Sequence, residues 1–191
     1  MTVLSAQSIR RLCTAFGDAP QLILPFVERA VVNGKSYGLS ACTYDCRIDQ
    51  DLELGCIPLG MVADFMRDNY CLNWSDAARL AAEFAKVKFT ALASTIERFN
   101  FPTNVCGSVL DKSSYARVFV SAFNTHLDPG WRGWLTVELV NLGDEPVVYR
   151  RGDPLCQVKF EWLDEPTDRP YSGKYQNQEP GPQPARAEAE S

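Results

Sequence analysis

The stretch Trp134-Leu135-Thr136-Val137-Glu138-Leu139-Val140 is the clearest indication of the fold. Its odd-numbered positions are all aliphatic, and an apolar residue at every second position is typical of a β-strand that buries one face. Trp134, Thr136 and Glu138 then share the opposite face. The alternation therefore predicts a strand that presents one carboxylate beside a tryptophan and a threonine.

Short strands are also predicted on both sides of this stretch. Runs of β-branched and aromatic residues are separated by turns rich in proline, glycine, asparagine and aspartate. Closely spaced short strands of this kind indicate an antiparallel sandwich or barrel, which places the chain in the mainly β class. The predicted strands cover residues 89–96, 105–110, 117–123, 134–140, 147–149 and 155–162.

The N-terminal half of the chain predicts two helices and one extended segment. The first helix begins at Ser5, carries apolar residues at helical spacing and ends at Gly17. The second helix begins at Asn73 or Ser75 and has one apolar face. Between them, residues 36–51 place apolar residues among small and polar ones, which favours extended chain with turns.

Length and composition indicate one globular domain. The chain has 191 residues, of which 46% are hydrophobic and 23% are charged, and this is enough to close a hydrophobic core. From Glu179 onward no large apolar residue occurs. We therefore expect a single domain over residues 1–178 and a disordered tail over residues 179–191.

The charge balance and the lengths of the apolar runs argue against several classes of partner. A net charge of −5 supplies no bulk positive field for nucleic acid or anionic lipid. No apolar run approaches the roughly 20 residues that span a bilayer, and no basic segment followed by an apolar block marks a leader peptide. We expect a cytoplasmic protein with neither a nucleic-acid nor a membrane partner.

Cysteine and histidine usage narrows the possible chemistry. Seven cysteines are an odd number scattered through apolar contexts, which predicts reduced, buried thiols. Zinc-dependent deamination needs a His or Cys next to a Glu and, in addition, a paired Cys-x-x-Cys, whereas Cys42 and Cys46 stand four apart without such partners. His126 is the only histidine, and neither a P-loop nor a dinucleotide fingerprint occurs. We expect no zinc site.

Three polar segments carry the candidate functional residues. In residues 111–117, two hydroxyls lie between a lysine and an arginine, an arrangement that can wrap an anion such as a phosphate chain. Residues 125–134 form a constrained turn that holds one acid, Asp128, and the strand that follows holds Glu138. Each segment alone is also compatible with a purely structural role as a solvated turn, a turn former or an exposed strand position.

Taken in order, these segments resemble one family, the dCTP deaminases, which share their fold with the trimeric dUTPases. The resemblance extends from Ile9 to Gln178. The matching segments are Ser36-Tyr37-Gly38, Tyr44-Asp45-Cys46-Arg47, residues 93–98 with Phe101-Pro102, and residues 112–117, 127–131 and 136–141, followed by Gln157, Tyr171 and residues 174–178.

The resemblance implies a dUTPase-like distorted β-barrel or jelly-roll with a few short peripheral helices, and hydrolytic deamination of dCTP to dUTP and ammonia. Glu138 would act as general base and then as general acid. Ser113 and Arg117 would hold the attacking water and the charge that develops at C4, in place of a metal. The resemblance also implies a homotrimer with active sites between subunits, over which residues 171–178 close as a lid.

The remaining site residues follow from the same resemblance. Asp128 would accept the deoxyribose 3′-hydroxyl, and magnesium would bridge the oxygens of the triphosphate. Backbone groups of Thr136 and Val137, together with Gln157, would read the pyrimidine and the phosphates. The residues expected to grip the triphosphate or to close over it are Lys112, Ser114, Tyr171, Lys174 and Gln178.

Two alternatives keep the same fold. In a dUTPase, or in a bifunctional enzyme, Asp128 would activate water at phosphorus, although the dUTPases have no acid at the position of Glu138. In a catalytically silent nucleotide regulator, residues 123–126 would block the water site, because the family usually has small residues there. Residues 53–86 replace a stretch that the family builds mostly from strands and loops, and no function is assigned to them.

Overall fold

The computed structural model describes residues 2–14, 20–56, 75, 78–79, 82, 88–123 and 125–187. Its helices are α1 (Ala6–Thr14) and α2 (Ser113–Ala116). Its strands are β1 (Thr2–Val3), β2 (Ile23–Leu24), β3 (Arg29–Val32), β4 (Lys35–Leu39), β5 (Thr43–Arg47), β6 (Leu52–Leu54), β7 (Thr90–Asn100), β8 (Val105–Asp111), β9 (Val120–Ala122), β10 (His126–Leu127), β11 (Arg132–Asn141), β12 (Val147–Tyr149) and β13 (Pro154–Trp162).

The described strands form three antiparallel sheets. The largest has the order β10-β8-β13-β5-β4-β3, and β1 also pairs with β13. The second has the order β2-β7-β11-β9, and β12 pairs with β6 in a small third sheet. The predicted mainly β class is thus confirmed. The described strands do not close into a barrel, because β3, β10, β2 and β9 each end a sheet.

One hydrophobic core lies between the two large sheets. Phe99 on β7 and Phe160 on β13 are fully buried, and their ring centroids are 6.4 Å apart, so they connect the sheets directly. Ile9 and Cys13 of α1 are buried in the same cluster, which confirms that the N-terminal helix packs on the body. Burying a phenylalanine side chain of this kind contributes about 1.5–3 kcal/mol.

The predicted strand over residues 117–123 is shorter in the structure. Tyr115 and Ala116 donate backbone hydrogen bonds to the carbonyl of Lys112, which begins α2, and the turn continues to Phe119 with a positive φ of 59°. Strand β9 therefore starts only at Val120. The other predicted strands agree with the structure to within about four residues at their ends.

The second predicted helix lies mostly outside the described residues. Its four described residues, Ser75, Ala78, Arg79 and Ala82, have helical backbone. No helix in the described part of the chain is long and apolar enough to cross a membrane.

The C-terminal residues 179–187 have no regular secondary structure, but they contact the body. Gln183 donates its backbone N–H to Thr136 Oγ1 (3.0 Å), and Arg186 donates its backbone N–H to the Tyr175 hydroxyl (3.1 Å). Polar contacts hold this part of the segment although it has no large apolar side chain to bury. The domain boundary at Gln178 and the disordered tail over residues 179–191 stay predictions.

The described cysteines are free thiols, as the sequence predicts. Burial raises the pKa of the Cys13 thiol to about 12, which keeps it protonated and unreactive. The expectation that all of them are buried is wrong for Cys42, which is exposed, and Cys56 is half-buried. Cys71 lies outside the described residues.

Candidate functional site

Strand β11 has the two faces that its sequence predicts. Leu135, Val137 and Leu139 are buried in the core. Thr136 and Glu138 lie on the opposite face and are partly exposed. Because β7 and β9 flank β11 in its sheet, the Glu138 carboxyl projects from a strand that is held on both sides.

A cavity of about 450 Å³ lies at this face of β11. Such a volume is sufficient for a nucleotide-sized ligand. It brings together five of the predicted site residues. These are Asp128, Thr136, Glu138, Tyr171 and Gln178.

The turn before β11 places Asp128 at the edge of this cavity. Its carbonyl accepts a hydrogen bond from the backbone of Trp131, and Gly130 supplies the positive φ of 84° that the turn requires. Asp128 Oδ1 is 3.6 Å from His126 Nε2, and about half of each side chain is exposed. Asp128 and His126 also line a second cavity of about 450 Å³, which reaches Arg169.

The C-terminal segment, residues 171–178, forms one wall of the first cavity. Its backbone is docked on the same chain, because Trp131 Nε1 donates to the carbonyl of Tyr175 (2.8 Å) and Trp134 N–H donates to the carbonyl of Gln178 (3.1 Å). The Gln176 carboxamide completes the attachment through hydrogen bonds with Arg132 N–H and the Gly130 carbonyl. These contacts dock the segment on its own chain, and its role as a lid stays a prediction.

Gln178 has a different set of contacts from the one predicted. Its side-chain Nε2 donates to the carbonyl of Trp134 (2.8 Å) and to Thr136 Oγ1 (2.6 Å), and the residue is 5% exposed. Both amide protons are therefore used within the chain. In this arrangement Gln178 orients Thr136 in the cavity, and its contact with a triphosphate stays a prediction.

Docking of the C-terminal segment depends on a glycine in β11. Gly133 has a φ of +146°, and a Cβ there would lie 2.6 Å from the backbone nitrogen of Gln178. We expect Gly133→Ala to detach the segment. If the clash weakens docking of the segment by about 1.4 kcal/mol, the fraction of molecules in which the segment is detached rises roughly tenfold. Tryptic cleavage after Lys174 should accelerate by a similar factor, as measured by mass spectrometry of the native protein.

Gly152→Ala is the matched control for this prediction. Gly152 also has a positive φ, +95°, but no atom lies within 4 Å of its Cβ position. Both variants carry the backbone penalty of about 1–2 kcal/mol, and only Gly133→Ala carries the clash. Equal cleavage rates after Lys174 in the two variants would show that contact with Gly133 does not hold the segment.

The second group of predicted catalytic residues lies elsewhere on the chain. Ser113 and Ser114 belong to α2, and Arg117 follows it. Arg117 Nη1 donates to the carbonyl of Ser113 (3.1 Å), and both residues are exposed. None of these three residues lines the cavity that contains Glu138. A single chain therefore does not bring the predicted Ser-Arg pair to the predicted base.

The structure differs from the prediction for Lys112. Its Nζ is 2.8 Å from Asp45 Oδ2, and the two side chains are only 4% and 7% exposed. Lys112 is thus buried against a carboxylate of the same chain, because β5 and β8 flank β13 on its two sides in the large sheet. Its contact with a triphosphate stays a prediction.

The remaining predicted site residues are Val137, Gln157 and Lys174, and none of them lines the cavity. The Val137 side chain is buried in the core, so only its backbone is available to a ligand. Gln157 lies on β13 between Asp45 and Leu110 of the neighbouring strands, away from the cavity lining. Lys174 lies outside the lining, with its Nζ 5.4 Å from the centre of the Tyr175 ring.

Several cavity residues were missed by the sequence analysis. The Tyr175 ring and Leu92 contribute apolar surface, and Leu92 could have been found because it lies opposite Glu138 on β7. Gln183 and Ala185 come from the segment that the composition predicts to be disordered, so no sequence signal indicated them.

No group of three or more histidine, cysteine, aspartate or glutamate side chains is placed to hold a metal ion among the residues that the structure describes. The predicted magnesium would be held by phosphate oxygens, and it stays a prediction.

Comparison with known proteins gives a consistent result. The family described as dCTP deaminase-like matches residues 3–163. The chain is 34% identical over 166 residues to a dCTP deaminase from Campylobacter concisus, covering 83% of this chain and 87% of that protein. It is 30% identical over 185 residues to a dCTP deaminase from Wolbachia sp. subsp. Brugia malayi, covering 93% of this chain and 95% of that protein.

A solved structure agrees with the fold. The 2′-deoxycytidine 5′-triphosphate deaminase from Agrobacterium tumefaciens superposes with a TM-score of 0.50 at 16% identity, covering 85% of this chain and 48% of that one. The likeness concerns the fold alone, whereas the match over residues 3–163 and the identity of the curated relatives concern the sequence. The chain belongs to the dCTP deaminase-like family.

Proposed function

We propose that this chain deaminates dCTP hydrolytically to dUTP and ammonia. The observation that carries the proposal is the cavity in which Glu138 lies with Thr136 and Asp128 beneath the C-terminal segment. Membership in the dCTP deaminase-like family and the activity named for the curated relatives support the same reaction.

Glu138 is suited to the proton transfers that this reaction requires. Its carboxylate takes a proton from water as the oxygen attacks C4 of the cytosine, and the proton passes to ring N3. A second proton moves from the added hydroxyl to the amino group, the C4–N bond breaks and ammonia leaves. No electron is transferred, so the residues need only to hold the water, move protons and stabilise charge.

The active site is proposed to form between chains of a homotrimer. Ser113 and Arg117 lie outside the cavity of Glu138, so a second copy would have to supply them. Exposed apolar side chains lie close to α2, which supports an interface there. Phe119 is 68% exposed, and its carbonyl accepts a hydrogen bond from Leu142 N–H, which places two exposed apolar residues together.

Substrate recognition is proposed to use both groups of residues. Asp128, half-exposed at the edge of the cavity, accepts the 3′-hydroxyl of the deoxyribose. Ser114 and Lys174 contact the triphosphate. Magnesium is carried by the phosphate oxygens as part of the substrate and reduces their negative charge.

A second candidate reaction is favoured by the pair of Asp128 and His126. Their side chains lie 3.6 Å apart in the same cavity, and such a pair is also suited to activating water at phosphorus. A diphosphatase acting on dUTP, or a bifunctional enzyme, would use this pair.

Product analysis separates these functions. Purified protein with magnesium is incubated with dCTP or with dUTP, and ammonia and pyrophosphate are both measured. We expect ammonia from dCTP and no pyrophosphate from either nucleotide. Pyrophosphate in addition to ammonia would indicate a bifunctional enzyme, and pyrophosphate from dUTP without ammonia from dCTP would indicate a dUTPase. Nucleotide binding without any product would indicate a regulator.

A further inference from the structure

The buried ion pair between Lys112 and Asp45 lies directly beside the residues proposed to hold the attacking water. Lys112 is the last residue before α2, with extended backbone at φ −78° and ψ 123°. Its side chain turns inward, and Nζ lies 2.8 Å from Asp45 Oδ2. Of the residues that follow it, Ser113 is exposed and Ser114 is half-buried.

Asp45 is a rigid anchor for this contact. It lies on β5, which is paired with β4 on one side and with β13 on the other. Its partner on β13 is Gln157, and Gln157 is paired in turn with Leu110 near the end of β8. The ion pair therefore connects an interior strand of the large sheet to the start of α2.

The position of Lys112 fixes the whole turn. Its carbonyl accepts hydrogen bonds from Tyr115 (2.9 Å) and Ala116 (3.0 Å), and the next carbonyl, that of Ser113, accepts bonds from the backbone and the side chain of Arg117. A shift of Lys112 would move Ser113 and Arg117 with it.

The neighbouring residue holds the same turn to β9. The Asp111 carboxylate accepts hydrogen bonds from Ser121 Oγ (3.0 Å) and from Ala122 N–H (2.7 Å). Consecutive side chains, Asp111 and Lys112, thus attach the turn to two different sheets. Such double attachment is what a turn needs if it is to present functional groups reproducibly.

Burial argues against a direct contact between Lys112 and a phosphate. Asp45 Oδ1 is buried and already has no hydrogen-bond partner. If Nζ left the pair to bind a nucleotide, the Asp45 carboxylate would remain charged in the interior without a cation, which is strongly unfavourable. A phosphate-binding lysine would be found with an exposed ammonium group, whereas this residue is 4% exposed.

We propose that Lys112 and Asp45 are positioning residues, which act through Ser113 and Arg117 and do not contact the substrate. The inference rests on the proposed deamination, because it concerns how that site is held. It predicts that the effects of substituting the two residues are not additive. It also predicts that neither substitution changes the preference of the protein for dCTP over dCMP.

The test is a double-mutant cycle with Lys112→Met, Asp45→Asn and the combined variant, plus Lys112→Arg in case Lys112→Met does not fold. We expect each single substitution to lower kcat for dCTP up to about 100-fold, since a shift of about 1 Å in a positioned group can cost that much. The combined variant should be no worse than the poorer single one. Lys112→Arg, which can still pair with Asp45, should recover most of kcat, a result that a general loss of folding would not give.

Binding of dCTP and of dCMP to the same proteins, measured by titration calorimetry, completes the test. The ratio of the two dissociation constants should be the same in wild type, Lys112→Arg and every variant that folds. Suppose instead that the dissociation constant for dCMP divided by that for dCTP falls tenfold or more in a Lys112 variant and stays unchanged in Asp45→Asn. That result would show a direct contact between Lys112 and a phosphate and would overturn the proposal. Absence of ammonia from wild type would refute the deaminase function separately, since the binding ratio does not depend on turnover.

Discussion

Glu138→Gln is expected to remove ammonia release from dCTP almost completely. A glutamine has the same size and still fills its place on β11, but it cannot take a proton from water. Loss of a positioned general base lowers the rate by roughly 10²–10⁴-fold. The dissociation constant for dCTP should change much less, because the cavity keeps its shape. Steady-state ammonia release and calorimetric dCTP binding measure the two quantities.

Glu53→Gln is the matched control. Glu53 is an exposed glutamate on strand β6, outside the cavity lining, and its substitution should leave kcat and KM unchanged. If Glu138→Gln retained wild-type turnover, Glu138 would not be the base and the proposed mechanism would be refuted. If it lost binding and turnover together, the carboxylate would have a role in holding the nucleotide.

Mixing variants tests whether the site forms between chains. Glu138→Gln and Arg117→Met should each be inactive, but subunits exchanged between them would assemble some sites that contain both native residues. We expect partial recovery of ammonia release after mixing and refolding. No recovery would indicate that both residues act from one chain, which their separation in the structure does not favour.

The strands were predictable because their signals are local. The alternation along β11 and the turn residues around β12 depend only on neighbouring positions, and both elements agree with the structure. The start of β9 was predicted too early, since the run at 117–123 is apolar enough for a strand. Its first residues are instead drawn into a turn by hydrogen bonds to the carbonyl of Lys112 and its neighbours.

The candidate site was predictable only in part, because only some of its residues are close together in the sequence. Asp128, Thr136 and Glu138 lie within eleven residues of one another, so one motif and one strand period placed them together. Lys112 and Asp45 are 67 residues apart, and their pairing depends on the order of strands in the large sheet. Closure of the barrel likewise depends on which strand edges meet, and a pattern of short strands does not specify this.

Glu97→Gln is expected to destabilise the protein strongly. Glu97 on β7 is fully buried and accepts hydrogen bonds from the backbone N–H (2.9 Å) and from Nε (2.8 Å) of Arg47 on β5. The pair therefore joins the two large sheets. Burial raises the pKa of the Glu97 carboxyl, and the hydrogen bonds from Arg47 oppose that rise. Glutamine would leave the Arg47 guanidinium, whose side chain is only 16% exposed, without its counter-charge. This costs about 3 kcal/mol, measurable as a lower free energy of unfolding in urea.

Glu28→Gln is the control that shows whether burial of the ion pair causes the loss of stability expected for Glu97→Gln. Glu28 also accepts two hydrogen bonds from one arginine, Arg10, but about half of each side chain is exposed. Water replaces the lost interaction at such a site, so the urea midpoint should stay close to that of wild type. Equal losses of stability in the two variants would mean that the Glu97 pair is no more important than a surface pair. A large loss for Glu97→Gln alone would show that this buried contact stabilises the packing of the sheet that carries Glu138 on the sheet that carries Asp45.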